Sequence, residues 1–214
     1  MEEDRFKIER EHWARGVLRL VGVDEAGRGP LAGPVVAVAV VLPREWGEAG
    51  LPEVLAGLND SKQVKATERE AWFEVLHGNT DIDFGLGILE ASEVDRINIL
   101  QATHEAMRKA LMGLATPADH ALVDGRPVPL LGTPQTALVK GDSRSYSIAA
   151  ASILAKVTRD RLMLEYHERW PQYGFDGHKG YGTAAHLAAL RQHGPCPIHR
   201  QSFAPLREAQ PELF

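Results

Sequence analysis

A single cysteine, Cys196, stands in the 214 residues, so no internal disulfide can form and the chain reads as a protein of a reducing compartment. No apolar run approaches the ~20 residues that a membrane-spanning helix needs. The opening residues, Met1-Glu2-Glu3-Asp4-Arg5, mix both signs of charge and lack the apolar core of a secretory signal. A cytoplasmic protein with no membrane association is the expectation. Internal repeats and low-complexity linkers are missing as well, so nothing divides the chain into several domains. What is present is ordinary for a folded globular protein: 44% apolar residues, 25% charged residues and a mass of 23.5 kDa. That size fits one domain, or one domain with an appendage, and a monomer is expected.

The net charge of −5 hides an uneven distribution. Residues 1–138 carry 14 Lys/Arg against 22 Asp/Glu, whereas residues 139–200 carry 9 against 5 together with five of the nine histidines. An acidic body with a basic C-terminal third can offer a local phosphate-binding face, and it can equally be solvated surface.

Valine-rich runs at Arg19 to Val23 and Pro34 to Leu42 read as paired strands joined by a glycine-rich turn. Ile82 to Leu89, Ala121-Leu122-Val123 and Ala137-Leu138-Val139 add three further strands. Ile99, Thr103, Ala106, Met107, Ala110 and Leu114 recur at spacings of three and four, which predicts an amphipathic helix. A long helix is expected from Ser143 to about Trp170, with Ile153, Leu154, Val157 and Leu164 on its buried side and Pro171 closing it. A shorter one spans Ala184 to Gln192, before Gly194-Pro195. Five strands with intervening helices predict one α/β domain built on a mixed sheet.

Three of these strands run into acids. Asp24-Glu25-Ala26-Gly27-Arg28-Gly29 follows Leu20-Val21-Gly22-Val23, Asp124-Gly125 follows Val123, and Lys140-Gly141-Asp142-Ser143 follows Val139. Carboxylates gathered at strand ends repel one another unless cations neutralise them. Hard cations such as Mg²⁺ or Mn²⁺ prefer such oxygen ligands, and two of them can orient a water and stabilise a leaving oxygen in phosphodiester hydrolysis. Each acid also has an ordinary reading as a cap or turn residue, and Asp142 before Ser143 is well placed to cap a helix.

The motifs around these acids are similar to those of bacterial ribonuclease HII, the type II ribonuclease H family. The resemblance runs through residues 24–34, then Asn59-Asp60-Ser61-Lys62, Val123-Asp124-Gly125, Lys140-Gly141-Asp142-Ser143 and Ala149 to Lys156. It continues through His178-Lys179-Gly180-Tyr181-Gly182-Thr183, Pro197-Ile198-His199-Arg200 and Ser202-Phe203, in the family's order over about residues 19–206. It implies a ribonuclease H-like five-stranded mixed sheet flanked by helices, with further helices at the C-terminus. On this expectation residues 1–18 are an N-terminal extension, 19–206 the catalytic domain and 207–214 a tail. It also implies a metal-dependent endoribonuclease that cuts the RNA strand of RNA–DNA hybrids and 5′ of single ribonucleotides in duplex DNA, leaving 3′-hydroxyl and 5′-phosphate ends. By the family pattern Asp24, Glu25, Asp124 and Asp142 hold Mg²⁺ or Mn²⁺. Gly27, Arg28 and Gly29 read the ribose 2′-hydroxyl through main-chain groups, which suits glycine's small size. Tyr181 stacks on the neighbouring deoxyribose, its ordinary alternative being a buried packing ring. Lys62 and Ser143 contact phosphates. With about eighteen residues before the first strand, type II fits better than type III, whose members carry an extra N-terminal domain.

Other readings are weaker. A nucleotide-binding loop made from Gly27, Gly29 and Gly33 needs a helix directly after the glycines, whereas Val35 to Val41 reads as a strand. A hybrid-binding protein without activity has no use for four acids. Cys196 lies between His193 and His199, but the paired spacings of a four-ligand zinc site are missing, so it reads as a packed loop cysteine. Beyond the matching region the chain ends Gln210-Pro211-Glu212-Leu213-Phe214. A glutamine, spacers and an apolar pair resemble peptides that dock on bacterial sliding clamps, although Pro211 replaces the leucine often found there. The alternative is that Leu213 and Phe214 fold back or fray.

Overall fold

Valine and alanine fill every position of the second strand, which marks it as an interior strand of the sheet. The computed structural model describes residues 4–61 and 64–207, so Lys62 and the tail residues Gln210, Leu213 and Phe214 lie outside the described residues. Within them, β1 (Leu20–Ala26) and β2 (Val35–Val41) pair antiparallel through the glycine-rich turn, and β3 (Asp83–Leu89) pairs antiparallel with β2. β4 (His120–Asp124) and β5 (Gln135–Leu138) continue the sheet in parallel from β1, giving the order β3-β2-β1-β4-β5. This is the mixed five-stranded sheet that the sequence predicts.

Among the described residues the helices are α1 (Lys7–Ala14), α2 (Trp46–Ala49), α3 (Ala66–Gly78), α4 (Ala91–Met112), α5 (Tyr146–Arg169), α6 (Phe175–His178) and α7 (Ala184–His193). Helices cover both faces of the sheet, which is why β2 is apolar throughout and β1 is apolar up to Val23. Val38, Val40 and Leu122 pack towards Ile148, Ile153, Leu154 and Val157 of α5. Val21, Val23, Ala37 and Ala39 pack towards Ala102, Ala106, Met107 and Ala110 of α4. Gly22 lets the main chain of α5 cross β1 directly, since a Cβ there would stand 2.2 Å from the carbonyl carbon of Ser147. No described helix is long and apolar enough to cross a membrane.

Several elements differ from the sequence reading, each for a physical reason. β1 continues through Asp24 and Glu25 to Ala26, because both acids still pair with β2, opposite Val38 and Ala37. The amphipathic helix from Ile99 is the second half of α4. Asn98, at φ 66° and ψ 161°, breaks the helix there, and its side chain accepts the Gln101 N–H at 3.1 Å. α5 begins at Tyr146 rather than Ser143. Its N-cap is Ser145, whose hydroxyl accepts the Ile148 N–H at 3.2 Å, while Gly141–Ser143 form a separate 3₁₀ turn. Asp142 therefore does not cap the helix. Leu164 is 45% exposed, against the expectation that it is buried. Beyond Val157 the helix passes the sheet, and its buried side becomes Arg159, Met163 and Tyr166, facing the C-terminal helices.

Four of these helices lie outside the sequence expectation: the four-residue α2 and α6, and the longer α1 and α3. α3 buries Trp72, Phe73 and Leu76, but Glu68, Arg69, Glu70 and Glu74 stand among and before them, which hides its apolar side. α1 places Phe6 and Trp13 in the same core as α5. Its buried Glu9 accepts the Ser145 hydroxyl at 2.6 Å and the Ser147 N–H at 3.1 Å, tying the N-terminal segment to the start of α5.

Replacing Gly22 by alanine forces α5 off β1 and should cost about 1–3 kcal/mol or more. Gly78→Ala, at the end of α3 with open space around its Cβ, should be neutral or stabilising by up to about 1 kcal/mol. Thermal unfolding of the two variants checks this, and equal melting points would argue against the close crossing.

Candidate active site

Strand register builds the site. β1 and β4 run parallel with Val23 beside Val123, so the next residues, Asp24 and Asp124, emerge side by side at their carboxyl ends. Open α/β sheets gather ligands at this edge. Asp142 arrives from the 3₁₀ turn after β5. That turn is entered through Lys140 in the left-handed region, at φ 56° and ψ 45°, a conformation uncommon for a non-glycine residue. One carboxylate oxygen each of Asp24, Asp124 and Asp142 lie within 4.8 Å of one another. Glu25 is not among them, because successive strand residues point to opposite faces. It lines the neighbouring cleft with Asp124 and pairs with Arg28 at 3.4 Å.

Each acid is fixed by its surroundings. Asp24 accepts the Glu25 N–H at 2.7 Å, and Asp124 accepts the Gly141 N–H at 2.7 Å. The Arg5 guanidinium, from the segment before α1, donates to the main-chain oxygens of Leu58 and Asp142. Burial, then the charges of Glu25 and Asp124, push the pKa of Asp24 well above the ordinary carboxylate range. Burial, then Asp60 and Asp124, push Asp142 up to about 6. Asp60, to which the sequence reading gave no role, is thus a further carboxylate beside Asp142. Only its place in Asn59-Asp60-Ser61-Lys62 pointed to it.

The cleft beside the acids is lined by Gly27, Arg28, Gly29, Lys156, Arg159 and Tyr181. Gly27 has φ +96°, and a Cβ on it would stand 2.2 Å from Nε of Arg159, so position and conformation both demand glycine. A Cβ on Gly29 would lie 3.7 Å from the Tyr181 ring. Tyr181 is 45% exposed, so it is no buried packing ring. Ser143 sits in the Asp142 turn, its hydroxyl donating to the Lys140 carbonyl at 2.9 Å. Lys62 lies outside the described residues.

Two buried arginines hold this cleft, and the sequence reading missed both. Arg200 donates to the main-chain oxygens of Gly27, Arg28, Pro30 and Gly33 at 2.6–3.0 Å. Arg159 donates to those of Ala32, Pro34 and Lys179 at 3.0–3.1 Å. Arg200 stands in the matching Pro197-Ile198-His199-Arg200, which gave it no role, and Arg159, beside Asp160 and Arg161, carries no local signal. Of the five histidines in the basic C-terminal third, His186 and His199 are buried, His167 and His178 are half-buried and His193 is exposed.

Comparison with known proteins fits this geometry. The sequence profile of the family described as Ribonuclease HII matches residues 21–206. The chain belongs to the ribonuclease HII family. The ribonuclease HII of Syntrophotalea carbinolica is 57% identical over 195 residues, covering 91% of this chain and 89% of the relative. That of Chlamydia caviae is 52% identical over 201 residues, covering 94% and 91%. The crystal structure of ribonuclease H2 from Pyrococcus horikoshii OT3 superposes with a TM-score of 0.73 at 27% identity, over 89% of this chain and 96% of that one. The ribonuclease HII fold is thus the ribonuclease H-like mixed sheet expected from the sequence.

The raised carboxyl groups set a pH dependence. The folded protein holds on to protons that the unfolded chain releases from about pH 4, so metal-free stability falls as pH rises towards about 6. Asp24→Asn removes one of the repelling charges and should raise metal-free stability at pH 7 by on the order of 1–3 kcal/mol. Thermal unfolding in chelator at pH 5 and pH 7 checks this. The gain of the variant over the parent should be larger at pH 7, and added Mg²⁺ should stabilise the parent more than the variant.

Proposed function

We propose that this chain is a divalent-metal-dependent endoribonuclease that cuts the RNA strand of RNA–DNA hybrids and cuts 5′ of single ribonucleotides in duplex DNA. The products are a 3′-hydroxyl and a 5′-phosphate, and residues 19–206 form the catalytic unit. The convergence of Asp24, Asp124 and Asp142, with Asp124 also lining the adjoining cleft of Gly27–Gly29 and Tyr181, carries this reading. Membership of a ribonuclease family agrees with it.

The donor set fits a hard cation. All its ligand atoms are carboxylate oxygens, and the charge of Asp24 is suppressed by burial and then by its acidic neighbours, which a bound cation would offset. Asp24, Asp124 and Asp142, with Glu25 from the adjoining wall, hold Mg²⁺ or Mn²⁺ in this reading. Bound there, such ions supply a water of lowered pKa and neutralise charge on the leaving oxygen. The residues of the chain do the selecting. Main-chain groups of Gly27, Arg28 and Gly29 approach a ribose closely enough to bond its 2′-hydroxyl, the group that separates RNA from DNA. The open face of Tyr181 takes the flat sugar of the next deoxynucleotide. Lys62 and Ser143 contact phosphates and set the register of the duplex.

A duplex DNA carrying one ribonucleotide tests this. Cleavage 5′ of the ribonucleotide is expected with Mg²⁺ or Mn²⁺ and none in chelator, and full activity in chelator would overturn the metal reading. The tail adds a separate proposal, docking of Leu213 and Phe214 in the pocket of a sliding clamp, with Gln210 fixing the register. The affinity should be micromolar or weaker, because few atoms are buried. Deleting residues 210–214 should abolish clamp binding and leave cleavage untouched, and unchanged clamp affinity would exclude the tail.

A further inference from the structure

The segment that presents Tyr181 is held in a costly conformation. Lys179 and Gly180, just before it, both lie at positive φ, 50° and 86°. Such backbone persists where its surroundings over-determine it. Arg159 holds the Lys179 carbonyl, the Leu31 N–H holds the Gly180 carbonyl at 2.8 Å, and Nδ1 of His178 accepts the Gly180 N–H at 3.2 Å. The carbonyl of Tyr181 itself bonds Nδ1 of His186 at 2.9 Å.

Behind His186 stands a second ring. Nε2 of His186 lies 3.0 Å from Nε2 of His199, and Nδ1 of His199 lies 2.9 Å from the main-chain nitrogen of Cys196. Both rings are buried, His186 at 0% and His199 at 2% exposure. Nδ1 of His199 also lies 3.1 Å from Sγ of Cys196 and 3.3 Å from the Cys196 carbonyl oxygen, but its shortest contact, 2.9 Å, is to the Cys196 N–H, and that contact assigns the protons. The Cys196 N–H must donate, so Nδ1 of His199 carries a lone pair and its proton sits on Nε2. That proton points at Nε2 of His186, which must then accept, leaving the His186 proton on Nδ1. There it donates to the Tyr181 carbonyl, which can only accept. The opposite assignment would set lone pair against lone pair at the Tyr181 carbonyl and donor against donor at the Cys196 N–H. Both clashes would be buried, where an unmade hydrogen bond is costly.

We propose that Cys196, His199 and His186 form a one-directional hydrogen-bond relay that fixes the main chain under Tyr181, making His186 and His199 positioning residues for recognition of the ribonucleotide–deoxynucleotide junction. Both rings must stay neutral for the relay to hold. Burial pushes the pKa of both down, that of His199 to about 4 with the help of His186 beside it. Neither ring touches substrate. Their effect passes through the pose of Tyr181, so the inference rests on the reading of Tyr181 given above.

Two measurements test it. In the full-length protein with Mg²⁺, labelled with ¹⁵N at histidine, imidazole nitrogen spectra should show His186 protonated at Nδ1 and His199 at Nε2. The reverse tautomer at either ring, or averaging between the two, would overturn the relay without any substitution. The second measurement is the ratio of cleavage at a single-ribonucleotide junction to cleavage within a uniform RNA–DNA hybrid. Tyr181→Ala should lower this ratio. His186→Phe keeps the ring volume but removes the donor, and should lower it about tenfold, whereas His186→Asn keeps an N–H near Nδ1 and should restore it to within about threefold. A ratio lowered by Tyr181→Ala but unmoved by His186→Phe would overturn the inference alone. A ratio unmoved by Tyr181→Ala would overturn the sugar-stacking reading, and the positioning role with it.

Discussion

All five N–H groups of the Arg200 guanidinium end on main-chain oxygens of the turn between β1 and β2. The need is mutual. A buried guanidinium is costly unless its donors are satisfied, and a tight buried turn leaves carbonyls that the sheet cannot reach. Arg159 works in the same way from α5, bridging Ala32 and Pro34 to Lys179 in the segment before Tyr181. The two walls of the cleft, from opposite ends of the chain, thus hang on two planar cations. Lysine could not substitute, since its ammonium is a compact point charge with three donors and no fixed fork.

The carboxylates pull the other way. Three acids held within 4.8 Å repel one another, and the raised pKa values of Asp24 and Asp142 record that repulsion together with burial. They are nevertheless held by the sheet and by a braced turn. Asp24 sits in the central strand, Asp124 beside it on the next, and Asp142 in a turn whose oxygen is tied to Arg5. A site built on strands keeps its geometry better than one built on loops, and here two strands and one tied turn hold a charge cluster that the metal-free protein would otherwise relieve. The N-terminal segment belongs to this support, because Arg5 and Glu9 brace the turn and the helix on either side of it.

Much of the fold was legible in local patterns. The valine runs of β1 and β2, the three-and-four spacing after Asn98, and the helix closed by Gly194 all appear where the sequence reading put them. α3 escaped notice because Trp72, Phe73 and Leu76 are spaced among charges, and Leu164 was misplaced because α5 changes partner half-way along its length. The acids were visible as residue types at strand ends, but nothing local separated Glu25 from the other three. Strand alternation and register did that.

The chain by itself determined its strand and helix periods, its glycine turn and the acids that follow its apolar runs, because each depends on neighbours within a few residues. The tertiary structure alone decided which carboxylates meet, which face Tyr181 presents and which buried donors hold the cleft. Those outcomes rest on contacts between distant parts of the chain, such as Arg200 with Gly33 across 167 residues and Arg159 with Ala32 across 127. Partners so far apart leave no periodic trace, and burial turns them from ordinary polar residues into the supports of the site.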